Sequence, residues 1–141
     1  MHMIIKKIKN NLISLVTLFA IITTFIVTTW RSEISEKNQN LRMAGFEILK
    51  NLGQLQIVVN YAYYQPDNVG GNPYLGWGYI ALVSDLSQLM PHPVEETVQE
   101  LVSVWAAEAD NLKTTNEAVK RVSQQIDNSR EEVLKSIHSL H

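Results

Sequence analysis

The chain has 141 residues, a formal charge of −2 and no cysteine. That length leaves room for one small domain beside any anchor, and the lack of thiols excludes disulfides, thiolate metal sites and a lipid-modified cysteine at a membrane exit. Beyond Arg31, 8 basic side chains stand against 14 acidic ones, a net −6 that repels phosphate backbones and excludes nucleic acid from the expected partners.

Residues 1–11 form a short basic tail with Lys6, Lys7 and Lys9. The run 12–30, LISLVTLFAIITTFIVTTW, carries no charge and is followed at once by Arg31. A hydrocarbon core about 30 Å thick takes roughly 20 apolar helical residues to cross, so this run reads as a single transmembrane anchor. Its end, Thr28-Thr29-Trp30-Arg31, lacks the small residues that signal cleavage requires. The lysines precede the span, whereas Arg31 is backed by Glu33 and Glu36. Cationic short flanks stay cytoplasmic, which predicts a cytoplasmic amino end and an extracytoplasmic domain over 31–141, periplasmic in a Gram-negative bacterium. Within the span Ala20, Thr24 and Thr28 make a small-residue stripe that would let two helices approach.

The helix is expected to continue beyond the membrane. Every seventh residue from Ile13 is apolar: Ala20, Val27, Ile34, Leu41, Ile48, Leu55 and Ala62. The spacing predicts one helix as far as Tyr64, ended by Gln65-Pro66, with a break near 37–40 as the alternative. Ala44-Gly45 beside the stripe offers a close approach. A loop over 65–72 follows, and Asn72-Pro73 reads as a cap and first-turn proline. The helix it opens, 73–89, carries Leu75, Tyr79, Leu82, Val83, Leu86 and Leu89 at helical spacing. After Pro91-His92-Pro93 the pattern predicts one long helix over 94–140. It rests on Val98, Trp105, Leu112, Val119, Ile126, Val133 and Leu140, with Glu108, Thr115, Ser129 and Ser136 spoiling the companion seam. Glu117 with Arg121 and Glu131 with Lys135 are expected surface pairs.

The fold expected is therefore all-α: one N-terminal transmembrane helix continuing into an extracytoplasmic helical hairpin or three-helix bundle. The hairpin would set 73–89 on 94–110 and 31–64 on 111–140, with Ile48 beside Ile126, its tip at His92 and its carboxyl end returned to the membrane surface.

No catalytic constellation, cofactor motif or metal cluster emerges, so neither an enzyme nor a cofactor is expected. His2, His92, His138 and His141 lie apart. The turn Asp67–Asn72 lacks the alternating oxygens and closing glutamate of a calcium loop. Asp85 and Glu108 read as carboxylates on a helix rim. Aromatic residues do cluster, with Tyr61, Tyr63, Tyr64, Tyr74, Trp77 and Tyr79 flanking the glycine loop. Such side chains combine contact area with a polar handle. Tyr63, Tyr64, Tyr74 and Trp77 are the candidate partner-binding residues, with core packing the competing role, above all for Trp77 and Tyr79. The expectation is a protein-interaction or scaffold subunit of a membrane complex, with membrane or extracytoplasmic proteins, or further copies of itself, as partners. The alternative is a sensory module holding a small molecule at a Tyr/Trp-lined site. Sensors of that kind normally return through the membrane, and 31–141 has no second apolar span.

Overall fold

The computed structural model describes residues 2–66 and 69–140, with side chains from Ser14 onward. Asp67, Asn68 and His141, and the side chains of His2, Lys6, Lys7 and Lys9, lie outside the described residues. With them go the calcium-like turn and the basic flank. All regular structure among the described residues is helical: α1 (His2–Tyr64), a 3₁₀ turn (Val69–Gly71), α2 (Pro73–Ser87), α3 (Val94–Glu108), a second 3₁₀ turn (Ala109–Asn111) and α4 (Asn116–Ser139). The chain divides into two units, Met1–Lys37 and Asn38–His141, and α1 contributes to both.

In the first unit α1 is long and apolar enough to cross a membrane, and none of that apolar window is buried by protein. Leu15, Phe19, Ile22, Phe25, Ile26 and Trp30 are exposed along it. Its hydroxyls are satisfied within the helix itself. Thr23 donates to the Phe19 carbonyl at 2.9 Å, Thr24 to Ala20 at 2.8 Å and Thr28 to Thr24 at 2.9 Å. A lipid environment demands such internal pairing, because no water is there to supply it.

In the second unit the remainder of α1 buries Ala44, Ile48, Leu52, Leu55, Val59 and Ala62. Their three- and four-residue spacing is that of a helix facing a core; Ile48, Leu55 and Ala62 of the sevenfold stripe read from the sequence lie within it, whereas Ala20, Val27 and Ile34 of that stripe are exposed. Gly45 is where α4 comes close, since a methyl built there would lie 2.7 Å from Ile137 Cδ1. Farther along, Gln56 Nε2 donates to Ser123 Oγ at 2.9 Å, and Arg42 donates to the Leu140 carbonyl. These contacts run antiparallel.

The α1–α2 contacts are antiparallel too. Gly71 presses on the Ala62 backbone, and Met90, just beyond α2, reaches the Gly45 level. Helix α2 starts as its sequence predicts: Asn72 Oδ1 accepts from the Tyr74 N–H at 3.0 Å and Pro73 takes the first helical position. It returns against α3, with Gly76 against the Trp105 ring and Gln99 donating to Ser84 Oγ at 3.1 Å. Pro93 caps α3.

The expected single helix over 94–140 does not form. Residues 109–115 turn the chain back, so that α4 packs on α3: Gln125 and Ser129 both donate to the Thr97 carbonyl, at 3.1 and 3.4 Å. The cause lies at Asn111, whose carbonyl accepts the N–H of Thr114 and of Thr115, both at 3.0 Å, and both threonine hydroxyls besides. That local bonding competes with the helical ladder. Leu112 stays fully buried in the turn, which is why the apolar stripe ran through the break unnoticed. The packing of 73–89 on 94–110 and of 31–64 on 111–140 is found for the residues of the second unit. The hairpin with one unbroken arm is not, because α3 and α4 lie side by side and α1 also meets α2. Interpolation between the α1–α4 contacts brings Ile48 level with Val133, about two turns from Ile126.

Candidate functional site

The four aromatic candidates separate into two pairs. Tyr63 and Tyr64, in the last turn of α1, stack edge to face with centroids 5.0 Å apart, Tyr63 half-buried and Tyr64 exposed. Tyr74 and Trp77 stand one turn apart on α2, 83% and 41% exposed, so Trp77 is not the core plug that was its competing role. Tyr79 does pack on the core, half-buried. The core plug at this level is Trp105. It is fully buried over Gly76, and its ring would overlap any side chain larger than hydrogen at that position.

Tyr74 and Trp77 border a cleft of about 470 Å³ together with Asn72, Pro73, Asp110 and Lys113. The fold back at 109–115 brings the last two there, which no local signal in the sequence announces. Two aromatic surfaces, a carboxylate and an ammonium thus share one recess. Tyr63 and Tyr64 do not line it.

Glu108, read as a rim carboxylate, is mostly buried and holds Arg121 at 2.9 Å. Arg121 thus turns to Glu108 on α3 and not, as expected, to Glu117 on its own helix. Glu131 and Lys135 do pair, at 2.8 Å. Their contact lowers the Glu131 pKa and raises that of Lys135, in both cases chiefly through the hydrogen bond between them. Trp105 Nε1 and Glu108 Oε2 are buried with no hydrogen-bond partner among the described residues.

Asp85 is exposed on α2, His138 is exposed on α4, and His92 sits in the exposed turn 3.2 Å from Glu96. Among the described residues no group of three His, Asp or Glu side chains is placed to hold a metal ion.

A second surface escaped the sequence reading. Of the residues the spacing favours, Val83 is buried and Tyr79 and Leu86 pack on the core, beside Gly76, Ile80 and Ser87. Leu75, Leu82 and Leu89, seven residues apart, are left 47%, 51% and 61% exposed. On neighbouring α1, Met43, Phe46 and Ile57 are exposed as well. Charge divides the same way. Residues 51–94 contain only Asp67 and Asp85 as charged side chains and no Lys or Arg, whereas 95–140 contain fourteen.

Comparison with known protein families, with curated proteins and with solved structures finds no match.

Proposed function

We propose that this is a non-enzymatic, single-pass membrane protein whose extracytoplasmic helical bundle acts as an interaction or scaffold subunit of a membrane complex, with a cytoplasmic amino end. The observation that carries the reading is the exposed apolar face of α2, with Asp85 its one charged side chain, beside exposed Met43, Phe46 and Ile57 of α1. Monomeric proteins rarely leave contiguous apolar patches beyond a few hundred Å² uncovered, and larger ones mark interaction sites. Tyr64 and Tyr74, both well exposed, extend the contact area with low-entropy aromatic side chains.

Crosslinking and purification of the full chain from native membranes tests this. One stoichiometric protein should be recovered, and Tyr64→Ala or Tyr74→Ala should lower its recovery without changing helicity. Unchanged recovery in both variants, with Leu75→Glu equally silent, would remove the reading. The cleft beside Trp77 favours the sensory alternative, with a small molecule held between the rings and the Asp110/Lys113 charges. A metabolite that raises the melting temperature of the wild type but not of Trp77→Ala would establish that alternative instead.

A further inference from the structure

The turn at 109–115 sets two opposite charges at the cleft beside α2 and leaves both without a partner. Asp110 and Lys113 stand three residues apart, a spacing at which an acid and a base on a regular helix readily pair. Here no ion pair joins them, and neither side chain has a hydrogen-bond or ion-pair partner among the described residues. Arg121, Arg130 and Lys135, on α4, each hold a carboxylate instead. The turn itself is fixed. Its threonine N–H and hydroxyl groups bond to the Asn111 carbonyl, and Leu112, between the two charges, is fully buried. The recess of about 470 Å³ falls within the size range of small-molecule sites.

We infer that this cleft binds a free α-amino acid with an aromatic or large apolar side chain. The inference rests on the small-molecule reading of the cleft given above. The ligand's ammonium faces Asp110, its carboxylate faces Lys113, and its side chain lies on Trp77 and Tyr74.

The pairing of opposite charges excludes simpler ligands. A plain cation attracted to Asp110 and the ring faces also meets Lys113. A plain anion attracted to Lys113 meets Asp110, and it must approach a unit with 7 basic and 12 acidic side chains, a net −5. A molecule carrying both charges on one carbon suffers neither repulsion, and being neutral overall it is not turned away by the acidic surface. Trp77 and Tyr74, 41% and 83% exposed, leave ring surface for an apolar side chain. An ammonium close to those rings also gains from their quadrupoles. Asn72 uses Oδ1 to cap the Tyr74 N–H, so its amide nitrogen remains a donor for a carboxylate. Zwitterionic lipid headgroups carry both charges too, but they bring no apolar side chain for the rings. The amino acid engages every group that the recess presents.

Calorimetric titration of the full chain in an uncharged detergent tests this. At least one of L-phenylalanine, L-tryptophan and L-leucine should bind, roughly tenfold or more tighter than its decarboxylated amine or its deaminated acid. The charge variants should act reciprocally. Lys113→Gln should weaken the amino acid roughly tenfold while strengthening the amine, and Asp110→Asn should weaken the amino acid while strengthening the acid. Both residues are exposed, so helicity should be retained in each variant. Trp77→Ala should reduce the preference for the large side chain over L-alanine.

An amino acid that binds no tighter than its single-charge analogues would overturn the inference, as would one indifferent to both charge variants. Tighter binding of glycerophosphoethanolamine or glycerophosphocholine would overturn it in favour of a lipid headgroup. A metabolite lacking one of the two charges, bound by the wild type and lost in Trp77→Ala, would overturn the amino acid and leave the small-molecule reading standing. A metabolite library with no member that depends on Trp77 would remove both.

Discussion

Residue 76 shows how steeply one atom can matter in this bundle. Trp105 lies directly on Gly76, so the methyl of Gly76→Ala must displace an indole that is itself fully enclosed. Overpacking of that kind costs about 1–3 kcal/mol. Gly53→Ala, on open surface, should instead gain up to about 1 kcal/mol of helix propensity. Urea denaturation of the two variants should therefore move the midpoint in opposite directions. A second residue-scale test concerns Glu108, mostly buried and paired with the largely exposed Arg121. Arg121→Ala would leave the carboxylate without its counter-ion, at a cost of about 1–2 kcal/mol, below that of a fully enclosed pair because water reaches the guanidinium. Neither Trp105 over Gly76 nor Glu108 with Arg121 was legible in the sequence, because each partner lies on another helix and nothing local encodes it. Gly45 was legible, since a small residue beside a strict apolar stripe leaves few roles other than close approach.

At the scale of elements, the starts of helices were easier to read than their faces or their ends. Asn72-Pro73 specified the beginning of α2 through local chemistry alone, a side-chain cap followed by a pre-set φ. The face of α2 was legible only in part: Tyr79, Val83 and Leu86 do meet the core, but Gly76, Ile80 and Ser87 are buried where Leu75, Leu82 and Leu89 are not, a choice made by the neighbours of α2 and not by its own pattern. The end of α3 was missed because Leu112 keeps the sevenfold stripe while sitting in the turn that breaks the helix. Leu112→Ala should accordingly behave as a core substitution, costing about 2–5 kcal/mol by denaturation, even though it lies in a turn between helices. On α4, Ser129 reads from the sequence as a defect in a seam, and Gln125 lies one turn before it. They are buried with the Thr97 carbonyl as a common acceptor, so each polar group is answered.

The outer surface of α4 carries the Glu131–Lys135 pair, and its linkage to pH has a definite sign. Glu131 is lowered in the folded chain, so its contribution is present above the ordinary carboxylate range and lost as pH falls through the lowered value. Lys135 is raised, so its contribution is present below the ordinary lysine range and lost as pH climbs through the raised value. Both groups are solvent-exposed, and Lys135→Met should leave the melting temperature at neutral pH within experimental scatter.

For the whole molecule, the proposed localisation rests on the apolar run 12–30 and the lysines before it. A reporter active only outside the cytosol should work when fused after His141 and fail when fused at residue 2, and moving Lys6, Lys7 and Lys9 to the far flank should weaken that asymmetry. The packing of α1 on α4 has a further consequence for how the protein is made. Gln56 waits 67 residues for Ser123, and Arg42 waits 98 for Leu140. Until α4 emerges, one flank of Ile48, Leu52 and Leu55 stays uncovered beside the growing chain. Yield in a living cell is then governed by how quickly the final helix is delivered. Slow codons placed across 112–139 should raise degradation of the nascent chain while the purified protein melts at its usual temperature.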